Sequence, residues 1–204
     1  MIAFRPARLS AAALAVLLAV SLAIQPTLDE GSYAANLAGL FRYFTIWSNA
    51  AALVVMTLVA LGRAPGRAVV ASLVTALTVV GVVYWGLLAG DHQPVGIDRL
   101  TNQVYHTIVP LAVAAWWFAF APRSDRIAPH LPAIMAPPLI YAVFAFVVGR
   151  LTGFYPYFFS NQPELGWGPF LLANTALTLF FAGVGAVLLA LQAKLHNRKT
   201  ASAA

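Results

Sequence analysis

Apolar residues run through this chain in blocks of about twenty, not in the three- and four-residue rhythm of a helix that keeps one wet face. Six blocks stand out, at 9–24, 40–61, 68–90, 102–120, 131–148 and 170–191. About 20 apolar residues in a helix cross the hydrocarbon of a bilayer. The pattern therefore predicts an all-α protein, a six-helix transmembrane bundle forming a single domain over 1–204, with 192–204 as a tail. The longest connections, 90–102 and 150–168, are too short to fold alone, so any chemistry must be built from the bundle. Pro132, Pro137 and Pro138 in the fifth block predict a kinked or late-starting helix.

Composition agrees with the pattern. Of 204 residues, 61% are hydrophobic and 9% charged, against about 25% charged in an ordinary soluble domain. The mean hydropathy is +0.82. There is no cysteine, which removes disulfides, thiolate metal sites and cysteine nucleophiles. The 12 Lys and Arg are too scattered to track a phosphate backbone, so nucleic acid is not an expected partner.

Those charges orient the helices instead. Arg5, Arg8, Arg63, Arg67, Arg123, Arg126, Lys194, Arg198 and Lys199 fall at the termini and in the second and fourth loops. The other side holds Arg42, Arg99 and Arg150 with Asp29, Glu30, Asp91, Asp98 and Glu164. The positive-inside rule puts both termini in the cytoplasm of a multi-pass cell-membrane protein. Arg5 and Arg8 before an apolar run also fit a signal peptide, but the run 9–24 exceeds the usual core and favours a retained helix. Tyr33, Tyr43, Trp47, Tyr84, Trp85, Tyr105, Tyr155, Tyr157 and Trp167 cluster near the outer boundary, where an aromatic belt explains most of them. The segment 155–159 reads as a loop lying on the headgroups.

Polar side chains inside a bilayer are costly, so their positions carry the information. The second helix bears Arg42, Thr45, Ser48 and Asn49 at spacings of three and four, on one face. The fourth bears Asp98, Asn102 and His106 at intervals of four, and the sixth bears Asn174, Thr175 and Thr178. All three run inward, so their polar faces meet in the outer leaflet. His106 is the one histidine expected within the hydrocarbon. Pro110, four residues on, has no N–H for the His106 carbonyl, so the helix should bend there. Each residue also has a structural reading. Thr45 can bond its own helix, Ser48 and Asn49 can join helices, Asp98 can cap, and Arg42 and Arg150 can snorkel.

The matched depth of Thr45 and His106 suggests chemistry. A threonine hydroxyl needs an adjacent base to act as a nucleophile, and imidazole is the usual one. Thr45 would attack an ester carbonyl, His106 would take its proton, and Asn102 would orient the ring. Asn49 or Ser48 would donate to the oxyanion. Asn174 would line the pocket, and Arg42 or Arg150 would hold a carboxylate or phosphate. The expected partner is a membrane lipid, as an ester substrate, with no cofactor and no metal. The alternative is a non-catalytic lipid or small-molecule binding or transport protein using the same pocket.

Two motifs add a resemblance. Phe41-Arg42-Tyr43-Phe44-Thr45-Ile46-Trp47-Ser48-Asn49 resembles the second-helix motif of the androgen-induced-gene family of integral membrane proteins, and most closely its bacterial "Pr-six-Pr" branch. Asn102 through Pro110 resembles that family's N-x-x-x-H-x-x-x-P signature. Tyr155-Pro156-Tyr157 and Gly166-Trp167 are similar to the loop before its last helix. Mammalian members are threonine hydrolases that cleave fatty acid esters of hydroxy fatty acids with a Thr and a His. The resemblance implies Thr45 and His106 for those roles.

Overall fold

The computed structural model describes residues 4–122 and 126–201, with side chains described as far as 195. Arg123 lies outside the described residues, as do the side chains of His196, Arg198 and Lys199. All described secondary structure is helical: α1 (Arg5–Ile24), α2 (Tyr33–Leu40), α3 (Phe44–Ala60), α4 (Arg67–Val83), α5 (Gly96–Gln103), α6 (Val109–Phe120), α7 (Leu131–Thr152), α8 (Gln162–Leu165) and α9 (Trp167–Ala201). Among the described residues, five helices are long and apolar enough to cross a membrane, and a sixth span results if the bent pair α2–α3 is counted as one. This makes the chain a multi-pass integral membrane protein by length and composition.

α4 lies at the centre, packed against α3, α6, α7 and α9. Its sequence suits that place, because nearly every residue from Val70 to Val80 is buried, and the hydroxyls of Ser72, Thr75 and Thr78 each donate to a backbone carbonyl. α1 packs mainly on α3, presenting Ala7, Ala11, Ala15 and Leu18 at spacings of three and four. Small residues at that spacing let two helices approach closely where no water drives them together. α7 begins at Leu131 and runs through Pro137 and Pro138 as one helix.

Three departures from the sequence expectation shape the polar end of the bundle. The second span is not one straight helix over 40–61. It breaks at Phe41–Tyr43, and α2 meets α3 at 99°. The broken backbone is served from outside: the Tyr141 hydroxyl donates to the Arg42 carbonyl (2.6 Å), and the Phe44 N–H donates to the Tyr157 hydroxyl (3.1 Å). Irregular backbone at membrane depth persists only when protein or water satisfies it in this way. The fourth span begins early, at Gly96, and passes through a π-helical turn over Val104–Ile108 before α6. α4 likewise ends in a π turn over Tyr84–Leu88. Away from that end, the tail expected from 192 continues α9 to Ala201.

Candidate functional site

Thr45 lies one residue into α3, because the break at Phe41–Tyr43 places the helix start beside it. His106 lies in the π turn between α5 and α6. The wide turn follows from Pro110, which cannot bond the His106 carbonyl. That carbonyl instead faces Gly81 of α4, where an added Cβ would lie only 3.0 Å away. Glycine here allows α4 to approach the freed carbonyl and so sets the depth of the imidazole.

The Thr45 Oγ1 lies 3.3 Å from His106 Nε2, and His106 Nδ1 lies 3.1 Å from the Asn102 carbonyl. A carbonyl only accepts, so Nδ1 carries the hydrogen and Nε2 presents its lone pair to the Thr45 hydroxyl. Asn102 does face His106, as the four-residue spacing suggests, but it holds the ring through its main chain. Its side-chain Nδ2 donates instead to the Tyr84 hydroxyl at 2.8 Å. The Tyr84 ring stacks on the imidazole, with centroids 3.8 Å apart and planes 19° apart. The Tyr84 hydroxyl, already accepting from Asn102, has its hydrogen left for His92 Nδ1 at 3.2 Å.

Tyr157 completes the surroundings. Besides accepting from the Phe44 N–H, its phenol oxygen lies beside the N–H and hydroxyl of Thr45, and burial raises its pKa above the ordinary tyrosine value. The ring is locked by stacking on Phe159 (5.0 Å, 9°) and by an edge contact with Tyr43. The segment 155–159 therefore does not simply lie on headgroups: Tyr157 and Phe159 turn into the bundle while Phe158 is 64% exposed. Tyr155 packs against α7 at Gly149, where any Cβ would fall within its ring.

Two spaces meet at Thr45. One, about 670 Å³ with its open mouth, is walled by Val79, Val83, Ala142, Leu177 and Phe181. Its few polar residues include Asn174 and Thr178, each bonded to a carbonyl of its own helix. The other, about 1230 Å³ with its mouth, is a vestibule reaching Asp29, Asp91, His92 and Asp98. Thr45, Tyr84, Leu88 and Tyr157 border both.

Other sequence candidates lie elsewhere. Arg42 is in the break, off the α3 face, and its guanidinium sits over the Phe154 ring at 5.0 Å. Arg150 is exposed near the end of α7, and neither arginine borders the two spaces at Thr45. Ser48 donates to the Phe44 carbonyl and faces a different recess, beside Trp47 and Ser72. Asn49 is fully buried, and its Nδ2 is engaged by the Thr45 carbonyl at 2.8 Å and the Tyr105 carbonyl at 3.4 Å. It pins α3 to the π turn and has no donor left for an oxyanion in either space. Tyr84 and Tyr157 were missed as site residues because an amphipathic ring near a membrane boundary fits the belt reading equally well. The adjacent Pro156 and the spacing Tyr84–Trp85 give no further signal.

Among the described residues, no group of three or more His, Cys, Asp or Glu is placed to hold a metal ion. Comparison of the chain with family models, curated proteins and solved structures gave no match.

Proposed function

We propose that the chain is a threonine hydrolase of lipid esters, working within the membrane with six spans and both termini in the cytoplasm. The observation that carries this reading is the chain of contacts from the Thr45 hydroxyl to His106 Nε2 and from Nδ1 to the Asn102 carbonyl, at the junction of an apolar and a polar space. Such an order of nucleophile, base and orienting acceptor is what activates a hydroxyl that is weak at its own pKa. The resemblance to the androgen-induced-gene family points to the same two residues.

The reaction runs in two halves. Thr45 Oγ1 attacks the ester carbonyl as its proton passes to His106 Nε2, giving a tetrahedral oxyanion. Tyr157, held at its oxygen by the Phe44 N–H, donates its hydroxyl hydrogen to that oxyanion; burial keeps it protonated. The C–O bond to the alcohol breaks, and the alcohol leaves with the proton from Nε2. Water then attacks the acyl-threonine and yields a proton to His106 Nε2; as the second tetrahedral intermediate collapses, the bond to Thr45 Oγ1 breaks, Nε2 returns that proton to Oγ1, and the fatty acid leaves. Asn102 and Tyr84 are positioning residues that fix the imidazole tautomer and plane. The acyl chain occupies the space between α4, α7 and α9.

The test is labelling of detergent-purified protein by a fluorophosphonate probe, beside Thr45→Ala and His106→Ala. Labelling of the wild type that both variants lose is the expected result. A folded wild type that stays unlabelled, yet gains thermal stability from added lipid, overturns the hydrolase reading in favour of the binding protein.

A further inference from the structure

The apolar space between α4, α7 and α9 is blind at the end away from Thr45. The last residues to border it there are Val79 on α4, Pro138 on α7 and Phe181 on α9. One turn further along each helix lies a closed layer made of Thr75, Ile134 and Gly185. Thr75 and Ile134 are fully buried. A Cβ on Gly185 would fall 2.8 Å from Ile134 Cδ1 and 3.1 Å from Thr75 Oγ1. Helices packed that closely leave no room for another methylene between them. Phe181 plugs the space above this layer. It is 2% exposed, it packs on Ala76 and Val79, and its ring meets the Phe44 ring edge-on at 5.6 Å and 77°.

We infer that the acyl half of the ester is a medium-length chain, and that Phe181 is the residue that limits its length. The inference rests on the hydrolase reading, since it is Thr45 at the border that makes this space the acyl side. The length follows from helix geometry. The bordering residues run from Pro138 to Ala145 on α7 and from Asn174 to Phe181 on α9, and both stretches cover about 10 Å. A fully extended chain advances about 1.2 Å per bond, a third of the rise of an extended peptide residue, so about eight carbons fill the slot. Each carbon up to that length adds contacts with the walls. The next one meets a ring that Phe44, Ala76 and Val79 hold in place, and overfilling a packed site is destabilising.

The experiment compares the p-nitrophenyl esters of butanoic, octanoic and dodecanoic acid on the purified full chain in detergent. Wild-type kcat/KM should peak at octanoate and fall by about tenfold or more at dodecanoate. Phe181→Ala lengthens the slot by the depth of a ring and should bring the dodecanoate-to-octanoate ratio toward one. Phe181→Leu should move it part of the way. Partition of the esters into detergent is the same for every variant, and a merely loosened fold lowers both rates together, so neither changes that ratio. Labelling of Thr45 by a short-alkyl fluorophosphonate, which does not reach Phe181, is read on each preparation. Labelling intact with dodecanoate cleaved by the wild type as well as octanoate overturns the length limit alone. A wild-type preference that neither variant relaxes overturns Phe181 as its cause. Labelling absent overturns the hydrolase reading, and this assignment with it. The wild-type series and Phe181→Leu decide the matter even where Phe181→Ala does not fold.

Discussion

The two ends of the bundle follow different rules. At the end that holds Thr45, three helices lose regularity: α2–α3 breaks over Phe41–Tyr43, and both α4 and α5–α6 pass through a π turn. At the other end α1, α3, α4 and α6 run as regular helices around Ala11, Ala15, Val59, Val70 and Trp117. Two polar side chains there reach across to a neighbouring helix's carbonyl, Arg8 Nε to Ala60 (3.0 Å) and Trp116 Nε1 to Ala7 (3.0 Å). Regular helices satisfy themselves and leave side chains free only to pack. Broken ones need outside partners, and those partners, Tyr141 and Tyr157, also wall the cavity. The irregular end is therefore where chemistry has room, and the regular end keeps it in register.

That contrast is tested most severely at Thr45 and His106. Thr45→Ala and His106→Ala should each remove probe labelling and lower ester hydrolysis by about 10³-fold or more, with the melting temperature in detergent nearly unchanged. Thr45→Ser should keep labelling, because the hydroxyl stays 3.3 Å from the base. Undiminished labelling of Thr45→Ala would place the nucleophile elsewhere.

Tyr157→Phe comes next. Loss of one donor to an oxyanion costs about 10²–10³ in kcat, and KM should move little because the ring still fills its place. Burial raises the phenol's pKa, so it keeps its hydrogen through the range in which a free tyrosine stays neutral. The pH profile should then show no downturn from Tyr157 up to about pH 10. A loss confined to KM would make Tyr157 a wall of the cavity and not a donor.

How much of this was legible beforehand depends on whether a residue acts through its side chain or its backbone. The helices were legible because runs of about 20 apolar residues have few other uses, and their observed cores fall within the expected blocks. Thr45 and His106 stood out because a hydroxyl and an imidazole are costly among Val, Leu and Ala. Asn102 was found for its spacing, yet it acts on His106 through a carbonyl that any residue would supply. The break at Phe41–Tyr43 has no proline to announce it and depends on Tyr141, about a hundred residues away in sequence. Helical spacing groups Arg42 with Thr45, and the break removes that spacing. Ser48 sits on the expected helix, but helical spacing of three still turned it toward another recess.

Gly81→Ala probes the link between the two ends. The new Cβ would meet the His106 carbonyl at 3.0 Å, so α4 and the π turn must separate by a few tenths of an ångström. Misplacement of a base on that scale should lower kcat by about tenfold. The apolar contacts along the rest of α4 remain, so the protein should still fold and bind lipid. Equal kcat in this variant would show that the π turn adjusts freely and that Gly81 only serves packing.

Ile134→Val, at the regular end, should have the smallest effect on chemistry. Ile134 is fully buried, and its Cδ1 lies where a Cβ on Gly185 would come within 2.8 Å. Removing that methyl leaves a small void between α7 and α9 that neither helix can close without shifting. The cost should be about 0.5–1.5 kcal/mol, seen as a lower melting temperature in detergent. Hydrolysis per folded molecule should stay within about twofold of wild type, since Ile134 borders neither space at Thr45 and a dry packing defect there changes no group near the reacting atoms. A larger fall in rate at unchanged stability would mean that the regular end transmits its packing to the imidazole, and the division between the two ends would fail.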